Sequence, residues 1–258
     1  TYIDEPFELA TKSNVVWRPN NFNNRFEGQI TLARALTASN NIVTIKLLLE
    51  IGIHRVVDLA QRVHLDSVTI PYPSLALGCV DTTLKQATAM FNVFANHGIY
   101  VEPHYIKWIK NNLGEKIWRH RATSEYIMDA RIADQVARVL MNGLGRARAL
   151  LWRSKPWIDS EGFSKTGTTN DSRICWFAGA TPSLTTVVYV GCDDNRSLGK
   201  HVYPSRTAFP IWINMHNKLA SKQKKFSFDG RLKERSINAR TGMYEDAAPG
   251  RETLAILE

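Results

Sequence analysis

Apolar spacing predicts two short amphipathic helices near the start of the chain, the first marked by Leu32, Ala35 and Leu36, the second by Ile42, Ile45, Leu48 and Leu49. Ser39-Asn40-Asn41 stands between them, and a serine with two asparagines suits a loop that caps the second helix. Further helices are predicted over His54 to Val63, over Leu84 to Ala95 with Gly98 as its stop, and over Ile132 to Leu140 with Gly143 as its stop. From Lys165 the period changes to two. Lys165 to Thr169 reads as an edge strand, with Phe163, Lys165 and Gly167 on one face and Ser164, Thr166 and Thr168 on the other. Arg173 to Ala180 and Thr185 to Cys192 are apolar, β-branched and aromatic, and the turn signals Asn170-Asp171-Ser172 and Thr181-Pro182-Ser183-Leu184 separate the runs. Such short connections predict an antiparallel meander with the Lys165 strand at one side. Ala208 to Leu219 reads as a late helix packed on the meander, and the first thirty residues, rich in Asn and Pro, as mostly loop. Helices first, strands next and a helix last imply an α+β fold, an antiparallel sheet flanked by helices, and not a repeating βαβ one.

The length of 258 residues with 44% hydrophobic content suits one core, so residues 1–258 are read as a single domain. Net charge is +9, and the densest basic stretch, Lys218 to Arg240, opens a basic C-terminal extension of that domain over residues 221–258. Asp229 and Glu234 interrupt the run and no recognition motif accompanies it, so no nucleic-acid partner is expected. Attraction to an anionic membrane surface or wall polymer accounts for the charge equally well. No apolar run approaches the roughly 18 residues of a membrane span, and the sequence opens on Thr1, so it is expected to be a piece of something longer. Cys79, Cys175 and Cys192 lack C-x-x-C spacing and the histidines form no H-E-x-x-H, so neither a metal nor a cofactor is expected.

Chemistry concentrates at Lys165-Thr166-Gly167-Thr168-Thr169, where an ammonium, hydroxyls and a glycine share one strand edge able to hold a carboxylate. A glycine inside a strand marks a bulge or a close backbone approach. Unpaired edge groups can receive a peptide-like ligand as an added strand.

Other short motifs accompany it in order: Trp17-Arg18-Pro19-Asn20, Leu32-Ala33-Arg34-Ala35-Leu36, Ser39-Asn40-Asn41, Pro73 to Gly78, Phe94-Ala95-Asn96-His97-Gly98, then Lys165-Thr166-Gly167, Trp176-Phe177 and Phe209-Pro210-Ile211-Trp212. In this order and at these separations the chain resembles, over nearly its whole length, the transpeptidase domain of bifunctional (class A) penicillin-binding proteins. The resemblance implies a penicillin-binding or serine β-lactamase-like fold and a parent that cross-links peptidoglycan stem peptides through a serine acyl-enzyme. It also implies β-lactams as ligands, an upstream glycosyltransferase domain, and a membrane-anchored parent working on the periplasmic face of the cytoplasmic membrane. By the same resemblance Ser39 shuttles protons beside Lys165 and Asn41 holds the substrate's peptide amide. Thr166 and Thr168 bind the terminal carboxylate, the Thr168 N–H forms half of an oxyanion hole, and Gly167 lets the ligand approach.

Three departures qualify the match. No Ser-x-x-Lys nucleophile motif lies upstream of Ser39, so the chain is expected to be the domain minus its nucleophile helix and inactive alone. The strings Ser197 to Lys200 and Ser221 to Lys224 follow the Lys-Thr-Gly strand, reversing the family order, and are set aside. Ser164 replaces the usual glycine before the lysine, and Ile174-Cys175 an acidic residue and a small one. A serine β-lactamase-like hydrolase and a non-catalytic binder of wall peptide or a partner remain as alternatives. The cleft assignment requires the Ser39 hydroxyl within about 8 Å of the Lys165 ammonium.

Overall fold

The computed structural model describes residues 1–10, 16–68, 71–151, 157–169, 172–248 and 251–258. The first thirty residues hold four short strands, Tyr2–Asp4 (β1), Leu9–Ala10 (β2), Val16–Trp17 (β3) and Gly28–Ile30 (β4), with β1 antiparallel to β4 and β2 to β3. Helices Leu32–Ala38 (α1), Asn41–Ile51 (α2) and Ile53–Arg62 (α3) follow, then a 3-10 turn over Pro73–Leu77 and the helix Leu84–Ala95 (α4). Three of these helices, α1, α2 and α4, start on a side-chain cap. Thr31 Oγ1 accepts from the Arg34 N–H, Asn40 Oδ1 from that of Val43, and Thr83 with Gln86 forms a reciprocal capping box. Gly98 ends the α4 turn at φ +83°, where an added Cβ would run into the Met128 carbonyl, so glycine is required.

Two small antiparallel pairs come next, Ile99–Val101 (β5) with Ser124–Tyr126 (β8), and between them the hairpin Trp108–Lys110 (β6) with Lys116–Arg119 (β7). The helix Ala130–Leu151 (α5) then runs past Gly143, where a stop was expected. Glycine in a helix interior is unfavourable by about 1 kcal/mol. Tertiary contacts override it here: beside Gly143, Asn142 Nδ2 donates to the Ala255 carbonyl at 2.8 Å and its Oδ1 accepts the Ala255 N–H at 3.1 Å.

The meander is Phe163–Thr168 (β9), Ile174–Thr181 (β10) and Leu184–Gly191 (β11), in order β11-β10-β9 and antiparallel throughout. β9 is therefore an edge strand. Of the turn that joins it to β10, Asn170 and Asp171 lie outside the described residues. The helix Ala208–Leu219 (α6) covers one face, where Phe177 and Val188 pack on Phe209, Trp212 and Ile213. The other face meets α5 and α4, with Phe163 and Ala180 against Ala137 and Leu140 and flanked by Phe91 and Phe94. Phe163 and Phe209 are wholly buried, a burial that contributes roughly 1.5–3 kcal/mol each. The last hairpin, Glu234–Asn238 (β12) with Thr253–Leu257 (β13), packs against α5, so part of the stretch read as a basic extension is regular structure.

Candidate active site

Ser39 closes α1 in the left-handed region, φ 58° and ψ 47°. For a residue with a side chain this conformation is unfavourable by about 1–2 kcal/mol, and it persists only where neighbours enforce it. They do so from both sides. The Ser39 N–H donates to the Leu36 carbonyl at 3.3 Å and the Asn40 N–H to that of Ala35 at 2.8 Å. Asn40 then caps α2, so the chain passes from one helix into the next within two residues. Behind the junction lies a network that the sequence reading missed. The Asp4 carboxylate, 1% exposed, accepts from Asn21 Nδ2 at 2.9 and 3.1 Å and from the Glu27 N–H at 2.8 Å. Asn21 Oδ1 accepts from the Asn41 N–H at 3.0 Å, and Asn41 Nδ2 donates to the Asn20 carbonyl at 2.8 Å. Asn41 is thus anchored by its amide nitrogen, leaving its side-chain oxygen for a ligand N–H.

Lys165 reaches this junction from β9. Its ammonium donates to Ser39 Oγ at 2.5 Å and to the Thr166 carbonyl at 3.0 Å, well inside the 8 Å that the cleft assignment requires. Although the residue is only half-buried overall, loss of water around the ammonium pushes its pKa down to about 8. Desolvation is the cause, and no carboxylate offsets it.

The other predicted site residues divide. Thr166 and Thr168 are exposed and pair with Phe177 and Cys175, on the α6 side of the sheet. Lys165 and Gly167 pair with Ala178 and Trp176 on the opposite face. The two hydroxyls therefore do not share the face of Lys165 and can meet it only along the open strand edge. Backbone direction favours that edge. The Thr169 N–H donates inward to the Ile174 carbonyl at 3.2 Å, so by alternation the Thr168 N–H points away from β10. Gly167 has a reason beyond ligand approach: an added Cβ would lie 3.2 Å from that of Trp176. Ser164 is buried opposite Gly179, whose missing side chain makes the room the extra hydroxyl needs. Neither set-aside Ser-x-x-Lys string lies on a helix, and the first contains Gly199 at φ +115°. Among the described residues no group of three or more His, Cys, Asp or Glu could hold a metal ion.

This architecture, a helix-flanked antiparallel sheet with a Lys–Ser contact at its open edge, is the penicillin-binding transpeptidase fold. The chain superposes over 99% of its length on penicillin-binding protein 1A from Haemophilus influenzae, with a TM-score of 0.83 at 24% identity, covering 44% of that chain. It superposes over 96% on PonA1 from Mycobacterium tuberculosis in complex with penicillin V, with a TM-score of 0.74 at 21% identity, covering 69% of that chain. Residues 1–203 match the family described as penicillin binding protein transpeptidase domain. Penicillin-binding protein 1A of Aquifex aeolicus is 37% identical over 202 residues, 77% of this chain, and that of Neisseria flavescens 37% over 230 residues, 81% of this chain. The chain belongs to the penicillin-binding protein transpeptidase domain family. It spans 27% of the length of each of these two relatives.

Proposed function

We propose that this chain supplies the proton-relay and carboxylate-binding wall of a peptidoglycan D,D-transpeptidase whose acylating serine lies on a Ser-x-x-Lys helix outside this sequence. The observation that carries the reading is the 2.5 Å contact between a desolvated Lys165 ammonium and a conformationally strained Ser39. Because Lys165 is the donor, the Ser39 hydroxyl keeps its own hydrogen for a second acceptor. When the nucleophilic serine attacks the carbonyl of a D-alanyl-D-alanine-like peptide, its proton must leave and the departing amine must gain one. Ser39 gives its hydrogen to that nitrogen and takes one from Lys165, which becomes neutral and recovers a proton from the attacking hydroxyl. The outward Thr168 N–H is half of the oxyanion hole, and the Thr166 and Thr168 hydroxyls bind the terminal carboxylate. Stem peptides and β-lactams are then the ligands, and the work is done outside the cytoplasmic membrane by a parent that is anchored to it. Among the described residues no helix is long and apolar enough to cross a membrane.

Labelled penicillin with intact-mass detection tests the reading. This chain alone should form no covalent adduct, whereas the protein carrying the Ser-x-x-Lys segment should form one. In that protein Lys165→Ala should slow acylation by roughly 10²- to 10⁴-fold. Thr168→Val, nearly isosteric, should chiefly weaken carboxylate recognition. If both variants acylate as fast as the parent with unchanged melting temperatures, the strand is structural, and if the longer protein itself forms no adduct the non-catalytic reading stands. An adduct on Ser197 or Ser221 would instead reinstate one of the set-aside strings.

A further inference from the structure

The hairpin formed by β6 and β7 is exposed on both faces, and its composition is unusual for a solvated ribbon. Trp108, Ile109 and Trp118 are each 43–44% exposed and Ile117 is 64% exposed. A two-stranded ribbon without a covered face is marginal by itself in water, and exposed apolar surface of this kind marks an interaction site. Trp108 pairs with Arg119 and Ile109 with Trp118, so adjacent positions send one indole to each face. Lys107, Lys110, Lys116, Arg119 and Arg121 surround the indoles with Glu115 as the one acidic residue between His104 and Arg121, and none of the five cations is ion-paired among the described residues. Lys110 Nζ stands 4.9 Å from the Trp108 ring centroid, a cation held over an aromatic face.

The shape narrows the occupant. A bilayer wedge needs a broad apolar tip, but the turn here is closed by polar contacts and bears a single exposed apolar side chain, Leu113, 83% exposed. Asn111 Oδ1 accepts the N–H groups of Leu113 and Glu115, and Asn111 Nδ2 donates to the Glu115 carboxylate at 2.7 Å. The apolar and cationic groups lie instead along the flat sides of the ribbon, which suits an extended anionic polymer carrying flat apolar ring faces.

We propose that this hairpin is a second, non-catalytic holding surface for peptidoglycan, its indoles stacking on sugar rings and its cations pairing with stem-peptide carboxylates. The identity of the polymer rests on the transpeptidase reading above. The surface places strands near the enzyme without contributing to acyl transfer.

Co-sedimentation of this chain with purified insoluble peptidoglycan sacculi at low salt tests the proposal. The unaltered chain should pellet, and added salt should release it. Trp108→Ala and Trp118→Ala should each weaken association about threefold to tenfold. The double variant Lys110→Glu, Lys116→Glu should weaken it further and remove most of the salt dependence. These two lysines are exposed, so that variant carries the test if a tryptophan variant melts early. Lys165→Ala should pellet like the unaltered chain. Pelleting that is the same in all hairpin variants overturns the proposal, as does binding to phosphatidylglycerol vesicles without binding to sacculi. Loss of pelleting on Lys165→Ala alone also overturns it, by placing the polymer in the cleft. Hairpin-dependent sacculus binding together with no acylation in the longer protein that carries the Ser-x-x-Lys segment would leave the proposal standing and sink the transpeptidase reading instead.

Discussion

Burial around the Lys165 ammonium disfavours its charged form and lowers its pKa to about 8 from 10.5. At pH 7.5 about a quarter of the molecules then carry a neutral amine at this position, against about one in a thousand for an ordinary lysine. The consequence for stability has a definite sign. The unfolded chain protonates this lysine at its ordinary pKa while the folded chain resists, so the penalty on folding is complete below about pH 8 and fades as pH rises to 10.5. At 1.36 kcal/mol per tenfold change the full difference would be about 3 kcal/mol. The residue is only half-buried and its ammonium keeps two oxygen acceptors, so we expect Lys165→Met to raise stability at pH 7 by about 1–2 kcal/mol, a gain that shrinks above pH 9. Competitive acetylation with mass-spectrometric readout measures the amine directly, because each lysine's labelling rate follows its neutral fraction. Lys165 should titrate near 8. A midpoint for Lys165 at 10 or above, or a Lys165→Met variant less stable than the parent at pH 7, would refute the desolvated relay.

Other perturbations follow from the same packing. An added Cβ at Gly179 would lie 2.5 Å from the Phe163 carbonyl and 2.9 Å from Ser164 Cβ; Gly179→Ala should push β9 off β10, lowering urea stability by roughly 1–3 kcal/mol and returning the Lys165 midpoint toward its ordinary value. His216, 2% exposed, accepts or donates at Nε2 with Thr186 Oγ1 at 2.8 Å, and burial lowers its pKa to about 4. The unfolded chain protonates it first, so stability present above pH 6.5 should fall as pH drops toward 4, by about 2 kcal/mol at pH 5, and His216→Gln should flatten that slope in urea titrations at pH 5 and 7. Asn40→Ala removes the α2 cap and should lower the melting transition by an amount worth about 1 kcal/mol, with acylation in the longer protein falling more than stability alone explains because the α1–α2 junction that carries Ser39 loosens.

Local signals carried much of this fold. The α1–α2 junction was legible because Ser39 and Asn40 cap helices through their own neighbours, and the meander because its turns are short and its strands alternate. What escaped depended on partners far away in sequence. Gly143 looks like a stop within its own turn, and only the Asn142 contacts to Ala255, 113 residues on, explain why α5 continues. Asn20 and Asn21 sit in a stretch whose composition says loop, yet the Asn21 side-chain amide and the Asn20 backbone carbonyl tie Asp4 and Asn41 together across 17 to 21 positions. A carboxylate at position 4 offers no periodic signal, so its burial could not be read from local pattern. The β6–β7 hairpin went unread for the opposite reason, since neither strand has the buried face that alternation would reveal.

The cleft is unfavourable to stability at two points that face each other. Ser39 occupies a backbone region that glycine would fill with less strain, and Lys165 loses hydration that an apolar side chain would not miss. A scaffold selected only to fold would relax both, since neither strain nor desolvation helps it. Here the Asn40 cap, the Asp4–Asn21 network and the Gly179–Ser164 fit hold the two groups in place at 2.5 Å. Stability has been given up at the contact and recovered around it, which is the arrangement expected where a proton must pass between two side chains without waiting for them to find each other.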